Sequence, residues 1–301
     1  MLSRSGLNND FKVAMFFLLP SFAGFVIFIL FPILSSFLLS FTSYSGSFAN
    51  AKLVGLHNYK LIFSDPKFWK SLSVTLVFVF FSVTFQLLLG FMFAVILNGK
   101  IRGKIIFRAL LFLPVVLSNV AVCMAFLFIF HPGAGPMNNF LKSIHLPQLQ
   151  WLADKNTALL TIIIVFIWQS FGYYMIIFLS GLQAINPALY EAAEMDGASP
   201  FRKLVSITLP GISPVIFFSM IIALINAFKV FDHVYVMTGG QYGGGPADST
   251  RVLAFDIYRN GFLFWQISKG AAESVVLFII VLIITVIQLR LQKRWVNYDI
   301  V

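Results

Sequence analysis

Residues 190–210 read YEAAEMDGASPFRKLVSITLP, a polar interruption between two apolar runs of membrane length. Just before it, Asn186 and Pro187 begin a helix: the amide oxygen caps free N–H groups and the proline brings the preset φ of a first helical position. Gly197 offers a stop, and Ser199 before Pro200 repeats the start signal. The loop therefore reads as two short helices joined at a glycine hinge, the second running into Leu209 and Pro210. On the first helix Ala188, Ala192 and Met195 share a face of small or apolar side chains, while Glu191 and Glu194 are neighbours elsewhere on its surface. A helix presenting such a face from a polar loop is a docking element.

Outside this loop the chain is built for a membrane. Its 301 residues are 59% hydrophobic and 11% charged, with a mean hydropathy of +0.91, whereas soluble domains are about 25% charged. The net charge of +10 would suit nucleic acid in a soluble protein. Here Lys and Arg stand in short connections between apolar runs, where they orient a chain in lipid, so no nucleic-acid partner is expected. Cys123, the single cysteine, cannot form an internal disulfide or a metal cluster. His57, His131, His145 and His233 are scattered over separate loops without paired spacing, and no metal site is expected.

Six spans are predicted, at about 13–41, 72–97, 109–130, 157–182, 209–230 and 271–291, with the docking loop at 183–208. They form one membrane domain, 13–301, after a cytoplasmic segment 1–12. Pro20 and Pro32 predict an interfacial lead-in followed by a kinked or tilted first span. The polar, aromatic stretch from Thr42 to Ser71 reads as an ordered external cap. In the second span Thr75, Ser82, Gln86 and Gly90 fall in one narrow sector, which either lines a path or packs helices closely. Lys100, Arg102, Lys104 and Arg108 make the densest basic connection, hence a cytoplasmic one. Its Gly99–Lys104 segment lacks the spacing and the Ser or Thr of a phosphate loop.

The fourth span places Gln169, Tyr173 and Ser180 within about 40° of one another. Polar groups in hydrocarbon face a cavity or another helix, and a cavity with an aromatic ring and an amide suits a hydroxylated ligand. The fifth span aligns Ser219, Ala223 and Asn226, so the candidate path residues are Gln169, Tyr173, Ser219 and Asn226. The glycines from Gly239 to Gly245, before Pro246, are turn chemistry and no phosphate cradle. Short basic segments, 98–108 and the tail with Arg290, Lys293 and Arg294, predict that both termini and the docking loop are cytoplasmic.

Glu191, Ala192 and Ala193, then three residues to Gly197, nine to Ile207, and Leu209 and Pro210 resemble the complete EAA signature of binding-protein-dependent ABC importer permeases. The resemblance runs from Leu19 and Pro20 to the tail and is nearest to permease subunits of carbohydrate importers of the maltose and glycerol-phosphate type. It implies an all-α polytopic membrane protein of the bacterial inner membrane: six transmembrane helices in the type I ABC importer permease fold, with a cytoplasmic coupling helix between spans 4 and 5. It also implies that Glu191, Ala192, Ala193, Asp196, Gly197 and Ala198 couple to an ATPase. The implied partners are a homologous second permease, two ABC ATPase subunits carrying ATP and Mg, an extracytoplasmic solute-binding protein, and a sugar or related polyol. No cofactor and no catalytic residue belong to this chain under that resemblance. The Gly239–Pro246 segment resembles the family's Thr-Gly-Gly-Pro loop with extra residues around Gln241 and Tyr242. Two other classes make different demands. An ion-coupled secondary carrier needs carboxylates within the spans, a membrane-embedded enzyme needs convergent catalytic groups there, and the confident span interiors contain neither.

Overall fold

The computed structural model describes residues 4–44, 46, 51–99, 101–240 and 243–296. Lys100, Gln241 and Tyr242 lie outside the described residues. Among the described residues there is no β-strand, only an isolated antiparallel bridge between Thr42 and Leu53. Two compact units form, 1–64 with 257–276, and 65–256 with 277–301. Among the described residues four helices are long and apolar enough to cross a membrane, and counting each of two bent helix pairs as one span raises the number to six.

In the first unit, α1 (Arg4–Phe25) passes through a π-turn at Val26–Leu30 into α2 (Phe31–Leu39). Val13–Leu39 is one apolar stretch; the sequence predicted an interfacial lead-in followed by a kinked or tilted span there, and the helix carries a π-turn just before Pro32. Pro32 explains the π-turn: proline has no N–H and its ring crowds the carbonyl four residues back. The ladder slips one residue just before it, Phe31 N–H reaching Val26 O, and the helix continues. In the stretch predicted as a cap, whose residues 45 and 47–50 lie outside the described residues, Asn58 of α3 (His57–Ser64) is buried and donates to the Ser40 and Thr42 carbonyls at 2.8 Å each.

The second unit is centred on α4 (Pro66–Asn98) and α8 (Ala158–Ala184). Asp65 caps α4 by accepting from Lys67 N–H, so this helix starts six residues before the predicted span. Thr75, Ser82 and Gln86 are fully buried, and a Cβ added at Gly90 would stand 2.9 Å from Tyr174 Cβ. At Gln86, which accepts from the Ser170 hydroxyl, and at Gly90 that sector of α4 packs against α8, while Thr75 accepts from Leu253 N–H. Small residues allow the approach that dispersion forces and interhelical hydrogen bonds then exploit in lipid.

The predicted third span is two helices, α5 (Lys104–Val116) and α6 (Asn119–Ile129), bent by 98°. Leu117 and Ser118 between them are extended. A short α7 (Pro136–Ser143) follows. Its Asn138 clasps the connection, donating to Pro132 O and Leu149 O and accepting from Trp151 Nε1–H at 2.7 Å. The predicted fifth span is likewise bent, by 66°, between 200–211 and α12 (Ser213–Phe228). After it come α13 (Asp232–Met237), α14 (Leu253–Tyr258) and the last span α15 (Ile267–Trp295), which begins four residues before its predicted start. Glu273, inside both this helix and the predicted span 271–291, corrects the expectation that the span interiors hold no carboxylate: it is buried and accepts from Asn260 Nδ2–H at 2.6 Å.

Candidate functional site

Two places carry the candidate residues, the docking loop and a cavity beside α8. The loop forms α9 (Pro187–Met195), then α10 (Pro200–Lys203), a π-turn at Leu204–Thr208, and α11 (Leu209–Gly211). Asn186 caps α9 by accepting from Ala188 N–H, and Ser199 caps α10 by accepting from Arg202 N–H. Gly197 has φ +70°, a left-handed conformation that costs a Cβ-bearing residue energy. With Gly197 N–H on Glu194 O at 3.0 Å and Ala198 N–H on Ala193 O at 2.9 Å, α9 ends in a Schellman motif. Ala193 and Gly197 thus supply the backbone of a fixed helix end.

Glu191, Ala192, Asp196 and Gly197 are exposed, and Ala193 and Ala198 are half-buried. Ala188 is exposed too, and Met195, on its face of α9, is 90% exposed. Lys203 binds Glu194 at 2.7 Å and holds its carboxyl below the usual carboxylate range.

The cavity measures about 420 Å³ and is lined by Asn119, Gln169, Tyr173, Asn226, Lys229, Asp232 and His233, among others. Three of the four path candidates therefore meet. Ser219 does not line it: two turns before Asn226 on α12, it is fully buried. Ser180 donates to the Ile177 carbonyl within α8.

Gln169 is occupied by the protein itself. Its Nε2 donates to Asn119 Oδ1 at 3.0 Å and to Leu117 O at 3.3 Å, and its Oε1 lies 2.8 Å from His233 Nε2. Asn119 in turn donates to Asp232 Oδ2 at 2.8 Å. Burial pushes the His233 imidazole down to about 4 against the opposing pull of Asp232. It is therefore neutral at pH 7, with Nε2–H as the donor to Gln169 Oε1. This network holds three elements together at the break between α5 and α6, where a free carbonyl would be costly in lipid. Tyr173, 36% exposed, and Asn226, also exposed, face the open volume. Asn119, Asp232 and His233 were not candidates from the sequence. Pro114, Ser118 and Asn119 lie close together in the sequence within the predicted third span, but α13 comes beside them only through the fold.

The family comparison covers both places. A family model described as binding-protein-dependent transport system inner membrane component matches residues 86–297. The chain belongs to this family. As an inner-membrane component of such a system it is an importer permease, a transport subunit. The probable ABC transporter permease protein YesP of Bacillus subtilis is 36% identical over 99% of this chain and 95% of its own. The trehalose/maltose transport system permease protein MalF of Thermococcus litoralis is 33% identical, covering 95% of each chain. The multiple sugar-binding transport system permease protein MsmF of Streptococcus mutans is 36% identical over 90% of this chain and 91% of its own. In fold, the permease resembles a chain of a bacterial ABC transporter involved in the import of the acidic polysaccharide alginate. The TM-score is 0.85 at 23% identity, over 97% of this chain and 99% of that one.

Proposed function

We propose that this permease is one half of the transmembrane pathway of an ATP-driven importer for a sugar or related polyol delivered by an extracytoplasmic binding protein. A homologous permease completes the pathway, and two ATPase subunits, which carry ATP and Mg, dock on the loops that face the cytoplasm together with both termini. The observation that carries this reading is the exposed, Schellman-capped α9, whose Glu191, Ala192, Ala193, Asp196, Gly197 and Ala198 form the coupling surface. ATP can bias the permease only by binding its conformations unequally, so a helix that moves as a rigid body is required.

Relatives named for trehalose and maltose, and for multiple sugars, support a hydroxylated substrate. In the cavity, Tyr173 offers a ring face to sugar C–H groups and Asn226 an amide to hydroxyls. Gln169 positions this wall without touching substrate. Ser219, remote from the cavity, contributes packing. The test of docking is Glu191→Lys, which reverses charge on the coupling surface. The protein should insert normally but lose co-purification with its ATPase subunits. Retention of the ATPase at wild-type stoichiometry would remove α9 from the interface.

A further inference from the structure

Tyr190, the residue before Glu191, is half-buried and places its phenol oxygen 2.9 Å from the Thr208 hydroxyl. Thr208 is 7% exposed and is the last residue of the π-turn. Its hydroxyl proton is directed to Lys203 O at 3.3 Å, which leaves its lone pairs to accept from Tyr190, since a hydroxyl has one proton. The π-turn has the same cause as the one before Pro32: Leu209 N–H reaches Leu204 O just before Pro210. Beyond it the chain bends by 66° into α12, which carries Asn226 at the cavity.

A second tie between the two short helices, Glu194 with Lys203, has its carboxylate largely in solvent, where ion pairs are screened and contribute little. The hydroxyl pair is part-buried, Thr208 itself being 7% exposed. The Tyr190 ring, moreover, borders an open crevice of about 540 Å³ with Val95, Leu182 and Leu204. The ring also packs against the core, and its oxygen adds a bond that ties α9 to the end of the π-turn.

We infer that Tyr190 and Thr208 form a strut that carries displacement of α9 into the bend at the start of span 5. Tyr190 is then a positioning residue for coupling, an inference that rests on the docking reading above. The strut joins the exposed, Schellman-capped α9 to the bend that leads into α12, which carries Asn226 at the cavity.

The test is a double-mutant cycle in the reconstituted complex of both permeases, the ATPases and the binding protein, reading substrate uptake per ATP hydrolysed. Tyr190→Phe and Thr208→Val each lower this ratio roughly five-fold, the scale of one neutral hydrogen bond, while ATPase co-purification is unchanged. The double variant is no worse than either single one, because both remove the same bond, and Thr208→Ser keeps the wild-type ratio. Additive losses, a wild-type ratio in Tyr190→Phe, or loss of ATPase association in that variant overturns the strut. A wild-type complex in which ATP drives no uptake overturns the docking reading, and the strut with it.

Discussion

Tyr173 and Gln169 stand one turn apart on α8 and differ in what their polar atoms meet. Gln169 has its amide engaged on both sides, whereas Tyr173 looks into open volume. Truncating a contact residue costs about 1–3 kcal/mol. Tyr173→Ala should therefore raise the substrate concentration for half-maximal uptake by roughly 5- to 150-fold in a complex that assembles normally. An unchanged concentration dependence in that complex would take Tyr173 out of the path. Helical spacing placed Gln169 and Tyr173 on one face of the fourth span and Asn226 on a face of the fifth, because a straight helix turns 100° per residue whatever surrounds it, and only the resemblance suggested that the two faces meet. Spacing could not separate their roles. Gln169 is satisfied by groups 50 and 64 residues away in sequence, and that proximity is a property of packing.

At the scale of elements, the α5–α8 contact is the tightest test of the fold. A Cβ at Gly172 would run into the backbone of Leu111 and Phe112, so α5 lies directly against α8 only because that side chain is absent. Gly172→Ala should destabilise the permease by about 1–3 kcal/mol through overpacking, read as a lowered thermal midpoint in detergent. Gly24→Ala, where nothing stands within 4 Å of the added carbon, is the control. Equal midpoints for both variants would show that α5 stands off from α8. The docking loop was legible in detail, because caps and a glycine stop are local and need no partner. The bends were not. Proline says that a ladder bond is missing, but its consequence depends on what rescues the carbonyls. At Pro32 a π-turn absorbs the defect, while after Pro114 the chain opens at Leu117, whose carbonyl Gln169 can reach.

For the whole molecule, composition and hydropathy were enough to read six membrane spans, since burying apolar length in lipid is a requirement on every span at once, whereas the permease role was legible only through the resemblance carried by Glu191–Pro210. The demand for carboxylates in an ion-coupled carrier meets Glu273, which is buried and paired with Asn260, a structural arrangement at the start of the last span. The central claim is that a rigid coupling helix lets ATP hydrolysis on partner subunits move solute through this chain. The most direct measurement is solute uptake into proteoliposomes containing the complete complex, with loaded binding protein on one side and ATP on the other. Uptake should require ATP and binding protein together, persist when proton and sodium gradients are collapsed, and vanish in Glu191→Lys. Uptake that follows an ion gradient and proceeds without ATP would contradict the account.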